Sequence, residues 1–168
     1  MSKTKYAVTL ATAISAAGVL FTSNYEGFSS KPYYDSGKVA TLGYGSTVHP
    51  NGQKVKIIDK PIDKKTGMDY LRIHMTKDAK RFNKSLQGVK LSQAEYDLYM
   101  DFTYQFGTGA WSGSSMLRNL KVGQHIQACK SLLKWRYVGK KDCSIRSSNC
   151  YGVWTRQQAR YDKCMGEN

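Results

Sequence analysis

The chain has 168 residues, 40% of them hydrophobic, with 26 Lys plus Arg against 12 Asp plus Glu and a formal net charge of +14. That length and balance fit a globular chain of one domain, or of one domain with two lobes. So large a cationic excess implies a polyanionic partner, but the basic residues are scattered and no zinc-finger spacing, RNP motif or P-loop is present, so nucleic-acid binding is not expected and an anionic cell envelope is favoured.

In chain order, residues 7–21 (AVTLATAISAAGVLF) carry no charge and follow Lys3 and Lys5. A basic start followed by an apolar stretch of this length reads as an export signal. The stretch is short of the roughly 20 apolar residues of a spanning helix, although extension from Tyr6 through Asn24 reaches the lower end of the spanning range. Ala13 and Ala17 offer small-residue cleavage contexts. Alanine, glycine, serine and threonine dilute the segment, so such a helix leaves lipid at low cost. Three readings stand: an uncleaved, weakly held membrane segment, a cleaved signal peptide, and an ordinary helix with an apolar face.

Residues 26–45 carry the chemistry. Glu26-Gly27 is followed by Tyr34-Asp35-Ser36-Gly37 and then Thr41-Leu42-Gly43-Tyr44-Gly45. Two carboxylates thus lie nine residues apart, with a hydroxyl six residues further on. Glycoside hydrolysis needs one carboxyl group to protonate the departing oxygen and a second to manage the water or the developing positive charge. Taken singly, Asp35 reads as an Asx-turn residue, Thr41 as a strand residue and Glu26 as a helix-end charge. It is the spacing of all three that points to catalysis.

Residues 33–58 alternate short apolar runs with Gly, Asn and Pro, which predicts two or three short strands, with Val55–Ile58 among the runs and a hairpin at Asn51-Gly52. From Thr66 the period turns helical: Leu71, Met75, Ala79, Phe82 and Leu86 mark one face of a helix over about 67–86. Ser92-Gln93-Ala94-Glu95 is a capping box. It opens a helix carrying Tyr96, Tyr99, Met100, Thr103 and Phe106, which Gly107-Thr108-Gly109 ends. A short helix follows at Ser114–Leu120. Another runs from Gln124 to Trp135, with Ile126, Cys129, Leu132 and Leu133 inward. Thr155-Arg156-Gln157-Gln158 reads as a second capping box that starts the last helix. The aromatic face at Tyr96, Tyr99 and Phe102 is expected in the core.

The four cysteines, Cys129, Cys143, Cys150 and Cys164, form no C-x-x-C pair, and the histidines are isolated, so no metal is expected. An even count in a small chain suggests two disulfides and an oxidising compartment. Three connectivities are open, with Cys143 and Cys150 the natural local pair across a short Ser/Asn-rich loop.

The order Glu-Gly, Asp, Gly, Thr-x-Gly-x-Gly resembles the phage T4-type lysozyme family, glycoside hydrolase family 24. Glu26, Asp35 and Thr41 match its catalytic Glu, Asp and Thr one for one; Ser46 stands where many members have His. Two further stretches are similar to family patterns: Phe102-Thr103-Tyr104-Gln105-Phe106-Gly107 with Ser115-Met116-Leu117, and Trp135-Arg136-Tyr137 with Gly152-Val153-Trp154-Thr155-Arg156. The second departs at Gln157, where the family has another arginine, and in the Lys141–Cys150 insertion.

The resemblance implies an α+β, lysozyme-like fold: a small β-hairpin lobe and a larger helical lobe joined by a long helix. Its divisions would be 1–24, an export segment that also supplies the first helix; 25–66, the catalytic lobe; and 67–168, the helical lobe with the connecting helix. It implies an endolysin that hydrolyses the β-1,4 bond between N-acetylmuramic acid and N-acetylglucosamine of peptidoglycan, with inversion and without cofactor. Glu26 would be the acid, shielded in the cleft between lobes, and Asp35 and Thr41 would hold the water. Gly43, Gln105 and Arg156 would serve substrate binding. Export-type endolysins pair helix cysteines in these contexts, which implies Cys129–Cys164 beside Cys143–Cys150. The N-terminal pattern resembles signal-arrest-release endolysins, held first in the host inner membrane and later freed into the periplasm. A monomer is expected. The rival readings are a lytic transglycosylase and a non-enzymatic, cationic, membrane-active protein.

Overall fold

The computed structural model describes residues 11–168, which form two compact units. The first 10 residues, including the basic start of the candidate export segment, lie outside the described residues.

One unit spans Ala13–Lys80. It opens with helix α1 (Ala16–Ser23), capped by Ser15, whose hydroxyl accepts the N–H of Gly18 at 3.1 Å. The hydroxyls of Thr22 and Ser23 donate back to the carbonyls of Gly18 and Leu20, a local alternative to continuing the helix. The buried face of α1 is Gly18, Val19, Thr22 and Ser23, while Leu20 is exposed. Among the described residues no helix is long and apolar enough to cross a membrane.

Strands β1 (Ser29–Tyr34) and β2 (Ala40–Gly43) pair antiparallel, with Tyr33 opposite Thr41 and Tyr34 opposite Ala40. β1 begins earlier than the sequence suggests, because SSKPYY has neither alternation nor branched residues, and its faces are largely solvated. The Asn51-Gly52 turn forms as expected: His49 N–H donates to the Gln53 carbonyl, Val48 bridges Lys54, and Gly52 takes φ 84°. Val55–Ile58 is not a strand; Val55 is buried as a single anchor and Ile58 is 84% exposed.

Helix α2 (Lys64–Thr76) packs on both α1 and β2 and starts at Asp63, whose carboxylate accepts the Thr66 N–H at 2.7 Å. Gly67 lets the ring of Phe28 approach, since a Cβ there would sit 2.8 Å from it. The single helix expected over 67–86 is two. α2 stops at Thr76, whose hydroxyl donates back to the carbonyls of Arg72 and Ile73, and α3 (Ala79–Ser85) begins two residues beyond Lys77. Such back-bonding weakens and bends helices, and periodicity of apolar residues carries no sign of it.

The other unit contains Arg81–Asn168 with Ala11 and Thr12. Its central helix α4 (Gln93–Ser112) begins with the capping box at Ser92 and Glu95 and breaks at Gly107, which adopts φ 88°, ψ 162° before helical geometry resumes to Ser112. Tyr96, Tyr99, Phe102 and Trp111 are buried together with Phe82, and the Trp111 ring lies 5.0 Å from Phe82 and 5.2 Å from Tyr99. The aromatic face is therefore core. Helices α5 (Ser115–Lys121) and α6 (His125–Leu132) follow. Ile126 is 44% exposed, contrary to expectation, while Cys129 and Leu132 point inward. A two-residue hairpin, β3 (Tyr137–Val138) with β4 (Lys141–Asp142), opens the insertion before the last helix.

Helix α7 (Tyr151–Glu167) starts one turn before the expected box. Thr155 lies within it, and its hydroxyl donates to the Gly152 carbonyl instead of capping. Cys129–Cys164 ties α6 to α7 and Cys143–Cys150 closes the insertion loop, with Cα separations of 5.5 and 5.0 Å. Both pairings are those the resemblance implies. In the chain-entropy account, the 35-residue separation of the first gives roughly 3–4 kcal/mol, more than the short loop of the second.

Candidate active site

Glu26 follows the last turn of α1, where its N–H donates to the Ser23 carbonyl at 3.3 Å. Its side chain is half-buried at the edge of a recess of about 340 Å³, shared with Gly27, Phe28, Ser29, Tyr33, Tyr44 and Gly45. Phe28 and Tyr44, whose ring centroids are 5.1 Å apart, both line the recess. Gly45 has φ 89° and open space where a Cβ would stand, so the chain turns beside the recess without filling it.

Asp35 begins the turn between β1 and β2. Its Oδ1 accepts the N–H groups of Gly37 and Val39, each at 2.9 Å, and its own N–H donates to the Val39 carbonyl at 3.0 Å. Among the described residues Oδ2 has no hydrogen-bond partner. Thr41, 2% exposed, donates its hydroxyl proton to the same Val39 carbonyl at 3.0 Å. Asp35 is thus opposite Val39, and Tyr33 is opposite Thr41. With a period of two, Tyr33, Asp35, Val39 and Thr41 share one face of the hairpin. The Asx-turn reading of Asp35 is correct as geometry, and it uses only one of the two carboxylate oxygens.

Gly43 does not line the recess. It is buried at φ 67°, and a Cβ there would meet the Ile62 side chain at 3.3 Å and Gly67 of α2 at 3.5 Å, so its place is in packing the hairpin on the helix. In the other unit, Gln105 lies on α4 one turn after Asp101, and its Oε1 is buried without a hydrogen-bond partner among the described residues. Arg156 is 5% exposed, and Nη2 and Nε donate to the two carboxylate oxygens of Asp101 at 2.6 and 3.2 Å. Arg160 donates to that carboxylate too, at 2.7 Å. Asp101 has an ordinary helical context in the sequence, so the motif at Arg156 suggested a ligand contact where the structure has a buried ion pair.

Sequence reasoning also missed a cluster beside the hairpin. His49 contacts Asp59 at 2.8 Å through Nε2 and the Tyr70 hydroxyl at 3.0 Å through Nδ1. The Lys56 N–H and then the His49 ring hold the Asp59 carboxyl below the usual carboxylate range. Its residues are 10 and 21 positions from His49, and no local pattern joins them.

The phage lysozyme family model matches residues 23–160. The chain is 30% identical over 129 residues to the endolysin of Salmonella phage P22, covering 76% of this chain and 86% of that one. It is 27% identical over 161 residues to a protein of bacteriophage PS119 named SAR-endolysin, covering 91% and 87%. It is also 30% identical to the endolysin of Bacillus phage B103, of which it spans 47%. The fold is similar to that of a P22 lysozyme variant, with a TM-score of 0.74 at 24% identity over 91% of this chain and 98% of that one. It is similar as well to the active form of the phage P1 endolysin, with a TM-score of 0.70 at 14% identity over 92% and 85%. The α+β architecture is lysozyme-like, and the chain belongs to the phage lysozyme family, as a lysozyme-type glycoside hydrolase that acts on peptidoglycan.

Proposed function

We propose that this enzyme is an endolysin that hydrolyses the β-1,4 bond between N-acetylmuramic acid and N-acetylglucosamine, with Glu26 as general acid and Asp35 and Thr41 as holders of the attacking water. The supporting observation is how the hairpin uses its hydrogen bonds. Asp35 Oδ1 is taken by two backbone N–H groups, which leaves Oδ2 as an acceptor. The Thr41 proton is given to the Val39 carbonyl, which leaves its oxygen as an acceptor too. A water bridging two acceptors presents both protons to the protein and a lone pair outward. Asp35 takes one proton as that lone pair attacks the anomeric carbon, and Glu26 protonates the leaving oxygen from the other side. Attack by water opposite the leaving group inverts the anomeric centre.

A lytic transglycosylase has no use for such a water. Proton NMR of freshly cleaved glycan tests the reading: reducing ends that appear first as the α-anomer support it, while β-anomers or anhydro ends exclude it.

The catalytic body acts as a monomer. Gln105 supplies a buried acceptor for a substrate amide or hydroxyl. The +14 charge favours the anionic cell envelope. Residues 16–23 serve α1 of the folded enzyme, with Val19 1% exposed, so they are not in lipid when the fold is complete. That supports two states of one uncleaved chain, as does the relative named SAR-endolysin: tethered in the host inner membrane, then released into the periplasm and active.

A further inference from the structure

We propose that Tyr33 is the positioning residue for the reacting sugar: its ring is the outer wall against which one N-acetylhexosamine lies between Glu26 and the Asp35–Thr41 pair. The proposal rests on the catalytic reading above and adds a residue to it.

Tyr33 is directly opposite Thr41 and two residues before Asp35, so its side chain leaves the hairpin on the face that carries both. It also lines the recess that Glu26 borders. It is therefore the side chain common to the acid and to the water-holding pair. A register irregularity between Ser29 and Tyr33 separates it from the earlier ladder, and such irregularities re-aim side chains.

The recess chemistry suits a pyranose. Phe28 and Tyr44 line it with apolar surface, Tyr44 being 8% exposed, while Tyr33 is 39% exposed and offers its ring to a ligand. A pyranose has a face of C–H bonds and a rim of hydroxyls. The face packs on an aromatic ring, whose negative surface favours polarised C–H groups, and the rim meets the Glu26 carboxyl and the backbone at Gly27 and Gly45. A sugar held this way cannot slide along the recess, which fixes its anomeric carbon relative to the water.

The test uses the inactive Glu26→Gln protein and tri-N-acetylchitotriose as probe, with affinity measured by calorimetry or NMR titration. Tyr33→Ser and Tyr33→Leu should each weaken binding about ten-fold, and Tyr33→Phe should stay within about two-fold, because the ring and not the hydroxyl does the work. In the Glu26 enzyme, Tyr33→Ser should raise KM on peptidoglycan more than it lowers kcat, with an unchanged melting temperature. Unaltered chitotriose affinity in Tyr33→Ser, a loss in Tyr33→Phe equal to that in Tyr33→Ser, or no binding by the Glu26→Gln protein would each overturn the proposal. None of these touches the catalytic reading, which fails separately if Glu26→Gln still cleaves glycan.

Discussion

Val39 holds Asp35 through both of its backbone groups: its N–H donates to the Asp35 carboxylate at 2.9 Å and its carbonyl accepts the Asp35 N–H at 3.0 Å. The same carbonyl receives the Thr41 hydroxyl. One exposed, apolar residue thus fixes the orientation of the proposed base and its partner through backbone alone, and its side chain is free to vary. The hairpin needs that rigidity because it is thin; among the described residues only two short strands pair in it.

The support beneath this hairpin is α2, and its tolerance is small. Gly67→Ala places a methyl group 2.8 Å from Phe28, which also lines the Glu26 recess. Overpacking of this kind should cost about 1–3 kcal/mol and lower activity as Phe28 is displaced. Thermal unfolding checks the first effect, and adding Phe28→Leu should recover part of the lost stability.

In the helical unit the vulnerable position is electrostatic. Asp101 is 0% exposed and holds both Arg156 and Arg160. Asp101→Ala leaves two buried guanidinium groups without their carboxylate and should cost about 3–5 kcal/mol. Urea denaturation should show a lower midpoint, and a larger loss than Arg156→Met, which leaves Arg160 on Asp101.

Acid should destabilise the fold through identifiable carboxylates. Asp59, bound by the Lys56 N–H and His49, Asp63, bound by the Thr66 side chain and N–H, and Asp142, bound by the Ser144 side chain and N–H, all titrate below the usual carboxylate range. The unfolded chain therefore binds protons first. The stabilisation is complete above the ordinary carboxylate pKa of about 4 and is lost as pH falls through the lowered folded values. Melting temperatures should hold steady above about pH 5 and decline below about pH 4, and Asp59→Asn should shallow that decline.

The N-terminal segment is subject to opposed demands. In the folded enzyme Ser15 caps α1, and the Thr12 carbonyl accepts from Asn83 Nδ2 and the Tyr96 hydroxyl at 3.0 and 3.1 Å. Ser15→Leu with Thr12→Leu should favour lipid by on the order of 1 kcal/mol per residue. Loss of the cap weakens the soluble state by about 1 kcal/mol more. The variant should remain in the membrane fraction and delay lysis. A released protein whose sequence starts near residue 18 would instead mean signal cleavage, and the two-state account of the N-terminus would be wrong.

The hairpin was legible in the sequence because its turn residues recur at short spacings there, on the same stretch as the side chains proposed for catalysis. The helix start at Ser92 was legible for the same local reason, since a capping box joins residues three positions apart. What escaped was non-local or masked by composition. β1 reads as polar loop because its stability comes from pairing with β2. The break after Thr76 comes from a hydroxyl turned back on its own helix, and the start of α7 lies a turn ahead of a capping pattern that does not cap. Arg156 and Asp101 are 55 residues apart, so their pairing could not be read from either motif. Tyr33 was visible only as one of two adjacent tyrosines until the register put it opposite Thr41.

Glu26, as proposed, is the proton donor of a hydrolytic cleavage. The direct measurement is reducing-sugar release from purified peptidoglycan by Glu26→Gln beside the parent enzyme, at equal concentration and with matching circular dichroism. Removing the transferable proton while keeping the size should lower the rate by about 10²–10⁴-fold with the fold intact. A folded Glu26→Gln enzyme that releases reducing ends at near the parental rate would contradict the account.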